Sequence, residues 1–149
     1  VCARRHGLIA SLTRLVSFGR LDARLADAHE RLLHVDAAFN AATVAGAAVG
    51  DVFTRGIRAY EEHGFDRDEW LRHHQGGPTG YEPRDYVADA DSAAQAEASQ
   101  AFAWNPSVPS LKSEDTVLAG AGPPEVLTVD PRWPTVIVGG LARPLVLER

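Results

Sequence analysis

Phe102-Ala103-Trp104-Asn105-Pro106 and Lys112-Ser113-Glu114-Asp115-Thr116-Val117-Leu118 decide how this chain folds. Ala101–Asn105 and Ser113–Ala119 each read as a strand, and Pro106 and Pro109 lie in the connection between them. Proline has no amide to give to a ladder, so it marks where pairing stops and the chain turns. A hairpin turning between Val108 and Leu111 sets Asn105 roughly opposite Glu114. An amide and a carboxylate then share one face of the sheet. On charge alone, the same stretch reads as a solvated turn with ordinary polar edges.

Upstream, Trp70–Gly80 reads as a strand running into a glycine-rich bend, His73-His74-Gln75-Gly76-Gly77. Neighbouring side chains on a strand point to opposite faces, so only one of the two histidines faces a given site. Gly76, Gly77 and Gly80 let the backbone pass close to something. A substrate or a metal is one reading, and a structural bend is the commoner one. His29 and His34 fall off the main apolar stripe of their helix, His63 closes a helix, and His6 sits in a turn, so surface and capping roles are expected for these four.

The first half is helical behind a hairpin. Val1–Gly19 holds two extended segments around a turn at His6-Gly7, with Leu8, Ala10 and Leu12 in alternation. From Leu21 to Val44, Leu25, Ala28, Leu32, Val35 and Phe39 recur at three- and four-residue steps, which puts them on one helical face; Arg24, Asp27, Arg31 and Asp36 fall elsewhere. Ala45-Gly46-Ala47 ends that helix. A second is expected over Asp51–His63, with Asp51 as N-cap and Gly64 just past its end. Asp89–Gln100 has no strong period and reads as a loop or weak helix, and Glu125–Thr128 and Thr135–Val138 read as short strands. A hairpin, two helices and then several strands make an α+β domain.

Composition narrows the partners. The 149 residues are 45% hydrophobic and 23% charged, enough for one core and one domain or part of one. The net charge is −5 and there is no basic tract, which argues against nucleic acid. No apolar run is long enough for a membrane span. Cys2 is the single cysteine, so there is no internal disulfide framework or cysteine-rich zinc site, and a reducing cytoplasm is expected. The chain starts with Val and contains no Met, which reads as a fragment or trimmed product. Its wealth of Ala, Arg and Gly suits a GC-rich bacterial genome.

These residues stand in a familiar order. Ser11-Leu12-Thr13-Arg14 is similar to the Ser-Asp-Ile-Thr-Arg strand of the pita-bread-fold hydrolases: the Xaa-Pro aminopeptidases and prolidases, the methionine aminopeptidases and creatinase. Ala45–Val52 resembles their Pro-Gly-x-x-x-x-Asp-Val connection, and His74-Gln75-Gly76-Gly77 their His-Gly-x-Gly. Phe102–Pro106 resembles Phe-x-x-Glu-Pro, and Glu114–Leu118 resembles Glu-Asp-x-x-Leu-Val. The full pattern, with His-His-Gln-Gly-Gly, Trp-Asn-Pro and Lys-Ser-Glu-Asp-Thr, is most similar to an uncharacterised bacterial branch with altered metal ligands.

The resemblance implies a pita-bread domain spanning 1–149, partial at its amino-terminal end and without the family's first domain. It implies hydrolysis of a peptide or related C–N bond. Metallopeptidase members hold two ions with two Asp, one His and two Glu, and the ions supply a hydroxide and polarise the carbonyl. Here His74 and Glu114 match two ligand positions. Asn105 stands for one glutamate, Ser11 in preference to Leu12 for one aspartate, and the other aspartate falls at or before Val1. Asn and Ser oxygens are neutral, weak ligands, so the expected cofactor is none, or at most one loosely held Mn, Co, Fe or Zn ion. By analogy with metal-free creatinase, His74 is the expected general acid/base, with Glu114 orienting it or binding a cationic group. Tyr81 falls near a second family histidine; with Arg84 and Arg14 it is a candidate substrate contact, and Trp104 a candidate pocket wall. The expected partner is a peptide or small amide, with homodimerisation implied for a full-length protein. A binding protein without turnover and a truncated product without independent activity are the alternatives.

Overall fold

Trp104 fixes how helices and sheet meet. A computed structural model describes all of residues 1–149. In it the Trp104 indole is fully buried, stacks on Phe39 at 5.0 Å between ring centroids, and donates through Nε1 to Thr43 Oγ1 at 2.8 Å. Phe39 and Thr43 belong to the end of helix α1 (Ala23–Ala42) and its cap, and Trp104 ends strand β5 (Ala101–Trp104). One side chain thus contributes apolar area, ring stacking and a satisfied indole donor to the same joint. Trp104 is core and does not wall a pocket.

Helix α1 packs against α2 (Val49–Glu62), and both cover one face of a four-stranded antiparallel sheet in the order β4-β5-β8-β9. The further strands are β4 (Gly76–Thr79), β8 (Asp115–Leu118) and β9 (Glu125–Val126). An inner hairpin of β6 (Ser107–Val108) and β7 (Leu111–Lys112) caps the β5–β8 connection, with Ser110 at its tip in a left-handed conformation. The register Trp104↔Asp115 agrees with the turn expected between Val108 and Leu111. The amino-terminal hairpin is β1 (Cys2–Arg5) with β2 (Leu8–Ser11), and β3 (Val16–Ser17) pairs in parallel with β12 (Leu147–Glu148). The last hairpin joins β10 (Thr135–Val138) and β11 (Leu141–Pro144).

Several local expectations are corrected. In β2 the buried side chains are Ile9 and Ser11, while Leu8 is exposed, so the hairpin turns the opposite face inward. Helix α1 is capped by Asp22, whose carboxylate accepts from the amides of Arg24 and Leu25. Helix α2 starts at Val49 after Ala48, leaving Asp51 inside the first turn, where its charge still suits the helix dipole. Trp70 lies in a short 3₁₀ turn, Glu69–Arg72, and not in a strand. Gly64 does follow the α2 cap at positive φ.

Two residues read as surface groups are buried. His29 is 5% exposed, and burial holds its pKa below the ordinary value against the pull of Asp36. Asp36 is fully buried; it accepts from Arg143 Nη1 at 2.5 Å and Ser113 Oγ at 2.8 Å, with Asn40 Nδ2 on its other oxygen at 2.9 Å. Arg143, also fully buried, reaches Asp115 Oδ2 at 2.8 Å. Asp115 Oδ1 accepts from Arg14 at 2.8 Å and from the Thr128 hydroxyl. Two carboxylates and two guanidiniums therefore close a neutral network tying α1 to β8 and β11. Paired and hydrogen-bonded in this way, buried charges are tolerated.

Candidate active site

Strand alternation sorts the residues of β5 and β8 between two faces. Trp104, Asp115 and Val117 point to the helices; Asn105, Glu114 and Thr116 follow the opposite pleat. The amide of Asn105 donates to Gln75 O at 3.0 Å, and the amide of Thr13 to Glu114 O at 2.9 Å. The backbone thus lines up Gln75, Asn105, Glu114 and Thr13 in one row across the sheet. Beside that row, the Ser11 amide donates to Thr116 Oγ1 at 2.8 Å, and the Thr116 hydroxyl returns a bond to Ser11 O at 2.9 Å. Ser11, Gln75, Asn105, Glu114 and Thr116 are thus brought together by the ends of β2, β4, β5 and β8.

Glu114 is the charged centre of the row and is 5% exposed. Its Oε1 accepts from Arg84 Nη2 at 2.9 Å; its Oε2 accepts from the Thr13 hydroxyl at 3.0 Å and pairs with Lys112 Nζ at 3.1 Å. Burial pushes the Glu114 carboxyl up, but the hydrogen bond from Arg84 and the charge of Lys112 outweigh it and hold the group below its ordinary value. Thr13 and Lys112 are site residues that the sequence reading missed. Thr13 stood inside the quoted motif as a neighbour, and Lys112 lay two residues before Glu114, where a hairpin side chain shares its face.

His74 is exposed, and its ring stacks on His73 at 4.4 Å between centroids. The two rings lie together, contrary to the opposite-face expectation, although the His73 backbone is extended after the 3₁₀ turn. Partial burial, then the charges of His73, Arg84 and Lys112, depress the His74 pKa; Glu114 only partly opposes them. The shift favours the neutral imidazole; the ring lines a hollow with Phe53, Trp70 and Val87 and is not among the hydrogen-bond partners of Glu114. The glycines after it serve the fold. Gly76 has φ +103°, and a Cβ there would meet Ala103 O at 2.1 Å. At Gly77, φ +150°, a Cβ would meet Tyr86 O at 2.7 Å. What the backbone passes closely is its own neighbouring chain.

The remaining candidates divide. Arg84 is at the site but committed to Glu114. Arg14 is spent on Asp115, Thr13 O and Thr128 O, at 2.7–2.8 Å, so its guanidinium belongs to the buried network and is not free for substrate. Tyr81 is 70% exposed, with its ring alongside Gly7 of the β1–β2 turn. Ser11 is buried, with Oγ 3.2 Å from Cys2 Sγ. Asn105 is buried and its Oδ1 has no partner within the chain. A cleft of about 510 Å³ opens on the same sheet face, between the β1–β2 hairpin and Thr79, Thr116 and Leu118.

Solved structures share this fold. An X-Pro aminopeptidase from Thermotoga maritima superposes with a TM-score of 0.74 at 18% identity, over 88% of this chain and 38% of its own. A dipeptidase from Pyrococcus horikoshii gives 0.74 at 23% identity, with the same coverage of 88% and 38%. This chain has the pita-bread fold. The N-terminal domain of the FACT complex subunit SPT16 from Cicer arietinum also matches, with a TM-score of 0.68 at 17% identity over 86% of this chain and 34% of its own. At such identities the likeness is one of fold, and the chain spans well under half the length of these proteins. No family model and no curated protein sequence matches the chain.

The residues present do not fit the two-metal centre of the pita-bread peptidases. No three His, Cys, Asp or Glu side chains are grouped to hold an ion. The one matched carboxylate, Glu114, already has both oxygens occupied by fixed donors, and Asn105 and Ser11 add no charge. No helix is long and apolar enough to cross a membrane.

Proposed function

We propose that the chain carries the site of a pita-bread hydrolase domain that acts on a peptide or related C–N bond without a two-metal centre, with His74 as general acid/base. The observation that supports this best is the pairing of a closed carboxylate with an open imidazole. Glu114 is held by Arg84, Lys112 and Thr13, while neighbouring His74 is exposed, with its pKa depressed by burial and nearby cations. A neutral imidazole accepts a proton from water and returns it to a leaving nitrogen. Water attack on the carbonyl carbon, collapse of the tetrahedral adduct and loss of the amine balance without any ion. His74 itself borders a smaller hollow with Phe53, Trp70 and Val87, which offers apolar walls for a substrate side chain; the cleft beside Thr116 and Leu118 is separate from it. The substrate is a peptide or small amide, the compartment the cytoplasm, and a full-length protein forms a homodimer.

The test uses chelator-treated protein with a panel of Xaa-Pro dipeptides and small N-alkyl amides, read by amine release. Turnover that survives chelation and disappears in His74→Ala supports the reading. Turnover abolished by the chelator and restored by Mn²⁺ refutes it. One observation favours a second reading, a binding protein without turnover: Glu114 spends its oxygens on Arg84, Lys112 and Thr13, so it does not orient His74. Ligand-induced melting shifts with no product would decide for it.

A further inference from the structure

We infer that Arg84 and Lys112 replace divalent metal at this site: a buried guanidinium and a partly exposed ammonium pair with Glu114 and exclude a metal ion. The inference rests on the metal-independent reading above and extends it to what fills the charge position instead.

Three separate segments converge on one carboxylate. Arg84 comes from the loop after β4, Lys112 from β7 and Thr13 from the chain leaving β2; their N···O and O···O distances to Glu114 run from 2.9 to 3.1 Å. The Arg84 and Glu114 side chains are only 11% and 6% exposed, so this is no mobile surface pair. Arg84 places Nη1 on Pro83 O and Nη2 on Glu114, while its buried Nε finds no partner within the chain. Its pose is dictated by the carboxylate more than by satisfying every donor.

The charge count points the same way. Arg84 and Lys112 bring two positive charges and Glu114 one negative; Ser11, Thr13, Asn105 and Thr116 bring none. The cluster is cationic before any ion arrives. A two-metal site needs the reverse, several carboxylates against the ions' positive charge. An incoming divalent ion would meet two like charges in a shielded place, where repulsion is strong, and would have to strip Glu114 of its donors. A fixed guanidinium or ammonium neutralises and polarises as an ion does, but binds no hydroxide. Activation of water therefore falls to His74.

The test needs no substrate. Chelator-treated protein is titrated with Mn²⁺ by calorimetry and with Co²⁺ by visible absorption. Wild type is expected to take up neither stoichiometrically. Ser11→Asp with Asn105→Glu restores carboxylates and should bind weakly while the cations stay. Adding Arg84→Gln and Lys112→Gln should tighten binding about tenfold for each cation removed, a conservative figure for losing a like charge at contact range. If the fourfold variant does not fold, Lys112→Gln on the two-carboxylate background carries the test, with Lys112→Arg expected to bind no more tightly than that background. Stoichiometric uptake by wild type, or equal affinity with and without the cations, overturns the inference. These results are separable from the function test: metal exclusion is measurable in a protein without turnover, and His74-dependent turnover in chelated protein stands whether or not the site accepts metal.

Discussion

Replacing Arg143 with Met tests whether the buried network under the site is electrostatic or merely well packed. Arg143 is fully buried, bonded to Asp36 at 2.5 Å and to Asp115 at 2.8 Å, and both carboxylates are themselves out of water. Met fills much of the stem volume and removes the charge. Removing one partner of a buried ion pair costs about 3–5 kcal/mol, because the other charge stays behind unpaired. Arg14 and Thr128 still hold Asp115 Oδ1, and Ser113 and Asn40 still reach Asp36, so the lower half of that range is expected. Urea denaturation at neutral pH gives the value. Its pH dependence gives the cause. Burial already holds the Asp115 pKa above its ordinary value against the pull of Arg143. Without Arg143 it rises further. A folded pKa above the unfolded one is a penalty felt while the group is ionised, and it vanishes as pH falls through the folded value. The deficit of Arg143→Met relative to wild type should therefore shrink on acidification. A deficit unchanged between neutral and mildly acidic pH would mean lost packing, and a neutral-pH deficit below about 1 kcal/mol would mean the network is not needed; either refutes the electrostatic account.

Other outcomes follow from single contacts. Trp104→Ala should cost about 3–5 kcal/mol in denaturant unfolding, because it empties the joint between Phe39, Phe102 and the sheet and removes the donor to Thr43. Gly76→Ala should be comparably damaging, or leave no cooperative unfolding transition, since its Cβ would fall 2.1 Å from Ala103 O at a positive φ. Glu114→Gln should destabilise at neutral pH: the folded carboxyl is held below its ordinary value, so it stabilises above the unfolded pKa, and that contribution disappears as pH falls through the folded value. Wild type and variant should converge in acid; parallel curves would show that the Arg84–Lys112 clamp contributes no net stability. Whatever C–N bond is cleaved, the acid limb of kcat/KM should lie below the ordinary histidine value, because His74 is depressed.

The two helices, the turn between Val108 and Leu111, and the opposition of Asn105 and Glu114 were legible because each rests on a local rule: apolar spacing, proline placement and strand alternation. The failures share a different cause. Leu8, Ala10 and Leu12 alternate as well as Ile9 and Ser11 do, so period alone cannot choose the inward face; the bond between Ser11 and Thr116 chooses it. Asp36 and His29 look like surface residues on a helix until Arg143, more than a hundred positions away, arrives at Asp36. Arg14 looked like a free cation for the same reason. The clamp on Glu114 was invisible because Arg84 and Lys112 are ordinary charges in sequence, and only the β4–β5–β8 order brings them to one carboxylate.

Glu114 and Asp115, adjacent at the start of β8, separate the site face from the buried network of the fold. Pleating sends them to opposite faces. Asp115 faces the helices and closes the Asp36–Arg143–Arg14 network, which fixes the register of β8 against α1 and β11. Glu114 faces the site, and its partners are supplied by loops and hairpin ends. The network that sets strand position thus contains no residue at a matched metal-ligand position. Substitutions at Ser11 and Asn105 change the charge of the site face without touching the register. Without partners Glu114 would be a buried, unpaired anion, and Arg84 and Lys112 relieve that cost directly. The cationic clamp thus stabilises the one carboxylate on this face, and on the proposed reading the exposed imidazole of His74 is the group that moves a proton.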